Sequence, residues 1–214
     1  MIALIATSVG TPRIIGAVHD EPVLSAIVKA RVEADTVFVG RTNIAGDAQA
    51  DPVVHGGPDK AVYLYPADNW PWWQSEHGIT GRPNAFGENL TVEGMDETTM
   101  RIGDRLRWGD ALLEVSQPRG PCYKLALALR ADAPQAMTRS ARCGWYCRVL
   151  DEGIAPARGT LEHIPAINAP TVRDAFIAVY HSRVERAHIE AVIAAPALAE
   201  SWKSAARKRL NSSR

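Results

Sequence analysis

A mainly β fold, with a barrel-like core over residues 1–165 and a small three-helix domain over residues 166–214, is predicted by three observations. Short runs of β-branched and aromatic residues recur through the first three quarters of the chain, separated by Gly, Pro and Asp. Tight-turn signals fall between them at short intervals, a pattern that suits a barrel or sandwich. After Pro165 the chain becomes Ala-rich and loses its strand signals.

Met1 to Thr7 is apolar without a basic leader, and reads as a first strand rather than a secretory signal. From Leu24 to Glu33 the residues alternate. Ala26, Val28, Ala30 and Val32 take one side, and Lys29, Arg31 and Glu33 the other, which predicts a half-buried strand. Thr36–Val39 and Ala61–Tyr65 predict two more strands. Asp68 is expected to cap a short helix carrying Trp70, Trp72 and Trp73. Leu90–Val92 predicts a strand. Met100–Ile102 is expected to pair with Arg105–Trp108 across Gly103-Asp104, and Gly109-Asp110 to turn the chain into Ala111–Val115. Trp145–Leu150 and Thr160–Ile164 complete the strand set. Thr171 is expected to cap a helix from Val172 to His181, with further helices over Arg183–Ala194 and Ala197–Leu210.

The bulk numbers narrow the function. Of 214 residues, 24 are basic and 24 acidic, which argues against a broad surface for nucleic acid or anionic lipid. No apolar run approaches the roughly 20 residues of a membrane-spanning helix. A cytoplasmic protein is expected. The three cysteines, Cys122, Cys143 and Cys147, are too few for a disulfide framework and are expected to be free thiols.

Three segments carry candidate chemistry. The first runs from Gly46-Asp47 through Asp51 to His55-Gly56-Gly57-Pro58-Asp59-Lys60. Its paired glycines let backbone amides approach an anion, and Lys60 opens an apolar strand. The spacing does not make a Walker A loop, and a tight turn with a solvated lysine is the plainer alternative. The second is Phe86-Gly87-Glu88-Asn89, a turn expected to aim Glu88 or Asn89 inward, where an amide can read a heterocycle's edge. The alternative is an Asn bonded to its own turn. The third is Gln117-Pro118-Arg119-Gly120-Pro121-Cys122-Tyr123-Lys124. Two prolines stiffen this loop, and Arg119 and Lys124 favour a thiolate at Cys122. A small buried thiol is the alternative. A zinc site joining Cys122, Cys143, Cys147 and His55 is conceivable, although close-paired ligands are missing.

In order along the chain, these segments together with Gly103-Asp104, Gly144-Trp145-Tyr146 and Thr171–Phe176 resemble the MOSC-domain family, named for the C-terminal domain of molybdenum cofactor sulfurases. The likeness is to its stand-alone bacterial branch and covers nearly the whole chain. The resemblance implies a MOSC-type β-barrel holding a molybdenum cofactor (molybdopterin), with Cys122 as metal ligand. It implies reduction of N-hydroxylated compounds such as hydroxylamino-purines, fed by an electron-donor protein. It places Lys60, Arg119 and Lys124 against the anionic cofactor, Gly56, Gly57 and Asn89 around it, and His55 or Asp51 as proton relays. A homodimer is the expected assembly. A persulfide-carrying Cys122 and a non-catalytic cofactor-binding module are the alternatives. Pyridoxal phosphate is not expected, because the chain has no room for the separate domain that binds it in the sulfurases.

Overall fold

The computed structural model describes residues 1–51 and 56–212. Twelve strands can be numbered in chain order. They are β1 (Ile2–Val9), β2 (Arg13–Val18), β3 (Glu21–Ser25), β4 (Ala30–Arg31), β5 (Thr36–Val39), β6 (Val62–Pro66), β7 (Leu90–Glu93), β8 (Arg105–Trp108), β9 (Ala111–Pro118), β10 (Trp145–Asp151), β11 (Gly153–Pro156) and β12 (Gly159–Ile164). Around the main sheet they run β12-β8-β9-β10-β6-β7-β1, and β1 then pairs with β12, so seven strands close into a barrel. Closure removes the free sheet edges that would invite aggregation. Neighbours are antiparallel except β6 and β7, which run parallel. Inward-facing Leu4, Val62, Leu64, Leu90, Val92, Leu106, Leu113, Val115, Trp145 and Leu161 fill the interior.

Among the described residues six α-helices flank the barrel: α1 (Trp70–His77), α2 (Tyr123–Ala128), α3 (Ala133–Ser140), α4 (Val172–Tyr180), α5 (Arg186–Ala194) and α6 (Glu200–Ser212). The expected Thr171 cap is present as a full capping box: Asp174 N donates to Thr171 Oγ1 at 3.0 Å, and Thr171 N donates to Asp174 Oδ2 at 2.9 Å. Buried residues of the last three helices join the barrel's core cluster. Trp202 donates its indole N–H to the Ala175 carbonyl, and Ala199 N donates to the Ser116 carbonyl on β9. Tyr180 closes over the loop before Cys122, where a Cβ on Gly120 would stand 2.8 Å from its hydroxyl oxygen.

Three expectations are corrected. Leu24–Glu33 is not one strand: β3 ends at Ser25, only Ala30–Arg31 pair again, and Lys29 turns inward. Alternation of side chains is a strand signal only while the ladder continues, and here the chain leaves it to wall a cleft. Met100–Ile102 does not pair with β8. The hairpin partner of β8 is β9, across Gly109-Asp110, while Arg101 bridges to Thr171. The Asp104 carboxylate explains the difference, because it accepts from Arg101 N and Ala166 N and folds the segment into a turn. Asp68 does not cap α1; it accepts from Gly94 N, and Asn69 holds the cap position. Helices α2 and α3 and the β2–β3 hairpin, which turns through His19 and Asp20 at φ 49° and 65°, were not anticipated.

Candidate functional site

A cleft with a cavity volume of about 110 Å³ opens beside the end of β9. It gathers residues far apart in sequence. Lys60 comes from the turn before β6, Tyr63 from β6 itself, and Asn89 from the turn before β7. Arg119, Cys122 and Lys124 come from the loop and helix after β9. Of the residues the sequence singled out, Cys122, Lys60, Arg119, Lys124 and Asn89 line this cleft. Gly56, Gly57 and Asp51 do not stand among its described lining residues. Gly57, at φ 93°, accepts from Lys60 N at 3.0 Å and so sets the turn that delivers Lys60. Asp51 lies within electrostatic reach of Lys60. His55 lies outside the described residues.

The three thiols separate cleanly. Cys143 and Cys147 are fully buried in the barrel core, while Cys122 is only partly buried and faces the cleft. Burial pushes both core thiols well above the ordinary range, with Glu97 adding to the effect at Cys143. They pack as small apolar groups. Among the described residues no three His, Cys, Asp or Glu side chains gather as a metal site, so the zinc arrangement has no support there. Native alkylation is therefore expected to label Cys122 alone, with Cys143 and Cys147 reacting only after denaturation. Peptide mass spectrometry reads this directly, and native labelling of either core thiol would contradict the packing described.

Arg119 is buried at 6% exposure, its guanidinium 5.7 Å from the centre of the Tyr63 ring and within reach of the Met137 sulfur at 3.2 Å. Tyr63 and Tyr146 lie side by side, with ring centres 5.1 Å apart, and form an aromatic wall. Tyr63 is fixed through its hydroxyl, which donates to the Cys143 carbonyl at 2.8 Å. Burial holds the Lys60 ammonium below its ordinary pKa, although Asp59 and Asp51 pull the other way.

The floor of the cleft holds a buried network in which sequence reasoning missed Lys29 and its pairing with Asp47. Asp47 is buried and accepts from three directions. Gly10 N reaches Oδ1 at 2.8 Å, Asn89 Nδ2 reaches Oδ2 at 2.9 Å, and Lys29 Nζ forms a close ion pair with Oδ1. Asn89 also accepts from Tyr63 N at 3.1 Å and donates to the Ser8 carbonyl at 3.2 Å. It thus ties β1, β6 and the Asp47 loop together rather than bonding to its own turn. Glu88 is also buried, accepting from Asn84 N, Phe86 N and Thr91 Oγ1, and burial raises its pKa. Gly87 before it has φ 81°, and a Cβ there would come within 2.5 Å of Ile27. The Gly87-Glu88-Asn89 motif is therefore a structural clamp under the cleft. A buried partner for Asp47 was the available signal, but Lys29 sat on the charged side of an apparent strand.

Comparison with known proteins agrees with this architecture. Residues 51–160 match the MOSC domain, and residues 170–213 match the YiiM-like 3-alpha helix domain. The chain is 34% identical over 189 residues to Protein YiiM of Escherichia coli, covering 86% of this chain and 84% of that one. The crystal structure of YiiM from Geobacillus stearothermophilus superposes with a TM-score of 0.80 at 31% identity, covering 98% of this chain and all of that one (100%). A protein named Reductase from Gibberella moniliformis is 39% identical over 140 residues, which are 61% of this chain but 24% of that protein. The chain belongs to the MOSC-domain family.

Proposed function

We propose that this MOSC-domain protein binds a molybdenum cofactor in the cleft, with Cys122 as metal ligand, and reduces N-hydroxylated compounds. The observation that carries the reading is the position of Cys122. It is the cysteine of the three that reaches the cleft, and it does so among Lys60, Arg119 and Lys124. The donor set fits such a group. A thiolate is a soft ligand suited to a redox metal, and lysines and an arginine match the phosphate of an anionic pterin. The name of the Gibberella relative is consistent with a reductive activity.

When bound, the cofactor supplies two-electron chemistry. The chain's own residues do the rest. Cys122 would hold the metal, and Arg119, Lys60 and Lys124, which line the same cleft, would offset the cofactor's negative charge. Tyr63 and Tyr146 offer a flat apolar surface to a planar substrate ring. Asp51, within electrostatic reach of Lys60, and His55 would relay protons. The net reaction breaks the N–O bond of R–NHOH, takes two electrons from a donor protein and two protons, and yields the amine and water. The test is purification from a host that makes the cofactor, followed by molybdenum and pterin analysis and assay of hydroxylamino-purine reduction. Near-stoichiometric metal with turnover is expected. Metal-free, inactive protein from that host would overturn the reading, and persulfide on Cys122 would replace it with sulfur transfer.

A further inference from the structure

A second cleft, of about 300 Å³, lies where α1, the end of α3 and the start of α4 meet, and Arg139, Arg142 and Arg173 line it with Trp72 and His77. We infer that this cleft is an anion site that takes a phosphate monoester or free phosphate, separate from the Cys122 cleft and independent of the activity proposed for it.

The argument starts from charge. The chain as a whole balances 24 basic against 24 acidic residues, yet three guanidiniums share this cleft. Among the described residues no carboxylate forms an ion pair with Arg139, Arg142 or Arg173. Asp132, close to His77 at 3.4 Å, is itself paired with Arg130 at 2.8 Å. Like charges held together repel, so a resident dianion would relieve the arrangement.

The second point is preorganisation. Arg142 lies with its guanidinium 5.2 Å from the centre of the Trp72 ring and donates through Nη1 to Asn69 Oδ1. Asn69 is in turn fixed by donating Nδ2 to both carboxylate oxygens of the buried Glu97, at 3.0 and 3.1 Å. A guanidinium locked by a ring and an amide loses little entropy when it captures an oxyanion. Arg173 is anchored through its own N–H, which donates to the Glu97 carbonyl, and through Nη1, which reaches the Ser140 carbonyl at 3.3 Å. Capping the α3 carboxyl end thus occupies one Arg173 nitrogen and leaves the Arg139 side chain exposed beside the cleft. Three guanidinium forks exceed what one carboxylate can use. They suit a phosphate group, with three terminal oxygens and close to two charges at neutral pH.

Calorimetric titration of the full-length protein tests this, with inorganic phosphate in one arm and a nucleoside monophosphate in the other. Saturable binding in roughly the millimolar range or tighter is expected. Arg139→Ala with Arg173→Ala should weaken it by at least about tenfold, and Arg139→Ala alone by less, at a side chain whose loss leaves the fold intact. Lys60→Ala with Lys124→Ala, in the other cleft, should leave it unchanged. Tighter binding of the monophosphate assigns the site to an ester, and equal binding assigns it to the free ion. No saturable binding to the natural chain, unchanged affinity in the arginine variants, or loss only in the lysine variants would overturn the inference.

Discussion

Under the proposed function, replacing Cys122 with serine is expected to cut reduction of N-hydroxylated substrates by more than about a hundredfold while leaving the fold intact. Loss of a group that merely supports a metal ligand costs about 10–100-fold, so loss of the ligand itself should cost more. A serine hydroxyl stays protonated at neutral pH and is a hard, weak donor for a metal that favours sulfur. Cys122 is only partly buried and stands at the N-cap position of the short helix α2, a position that serine suits. Thermal melting of the variant should therefore match that of the natural chain, and its bound molybdenum should fall with activity. Cys143→Ser and Cys147→Ser provide the contrast. Each puts a hydroxyl into the closed core, so stability should fall while turnover per folded molecule is kept. Retained activity and metal in Cys122→Ser would remove the thiol from the site.

Much of the barrel was legible because its strands carry their own signal. Trp145 to Leu150 alternates as a half-buried strand should, and Ala61 to Tyr65 is apolar throughout because β6 is buried on both faces. The helix after Thr171 was legible from its cap. The corrected strands failed where hydrogen bonds and ion pairs that local alternation does not register decided the path of the chain. Asp104 drew Arg101 N and Ala166 N into a turn and spoiled the hairpin expected at Met100. Residues 24–33 alternate, but the strand breaks after Ser25 and the chain wraps the cleft instead. The site follows the same logic. Arg119, Cys122 and Lys124 lie within six positions of one another, on the loop after β9 and the start of α2, so sequence proximity was enough to bring them to one cleft. Lys29 and Asp47 lie 18 positions apart, and although Asp47 belongs to the first candidate segment, nothing local pointed to Lys29 as its partner. Tyr63 and Tyr146 looked like ordinary strand residues. Their part in the cleft appears only when β10 pairs with β6 and places Tyr146 opposite Tyr63.

Asp47→Ala is expected to be the most damaging single change to stability, at about 3–5 kcal/mol, because it strands a buried cation. Lys29 and Asp47 have side-chain exposures of only 7% and 3%. With the carboxylate gone, the ammonium is left in a half-enclosed wall without its counter-charge, and Gly10 N and Asn89 Nδ2 each lose an acceptor. Asn89 then has less to hold it between β1 and β6, so the cleft floor loosens with the fold. Against a typical total of about 5–15 kcal/mol, such a loss is severe. Two further variants separate charge from hydrogen bonding. Asp47→Asn can keep an acceptor for Gly10 N but removes the counter-charge, and should recover part of the loss. Lys29→Met in the Asp47→Asn background removes the stranded cation as well, and should recover more, since replacing both members of a buried pair is often near neutral. Denaturant unfolding of the natural chain, Asp47→Asn, Lys29→Met and the double variant completes the cycle. Additive effects of the two substitutions would mean the ion pair does not form. Strong coupling would place Lys29 where the fold puts it, inside the cleft wall rather than on the outer face that its alternating neighbours suggest.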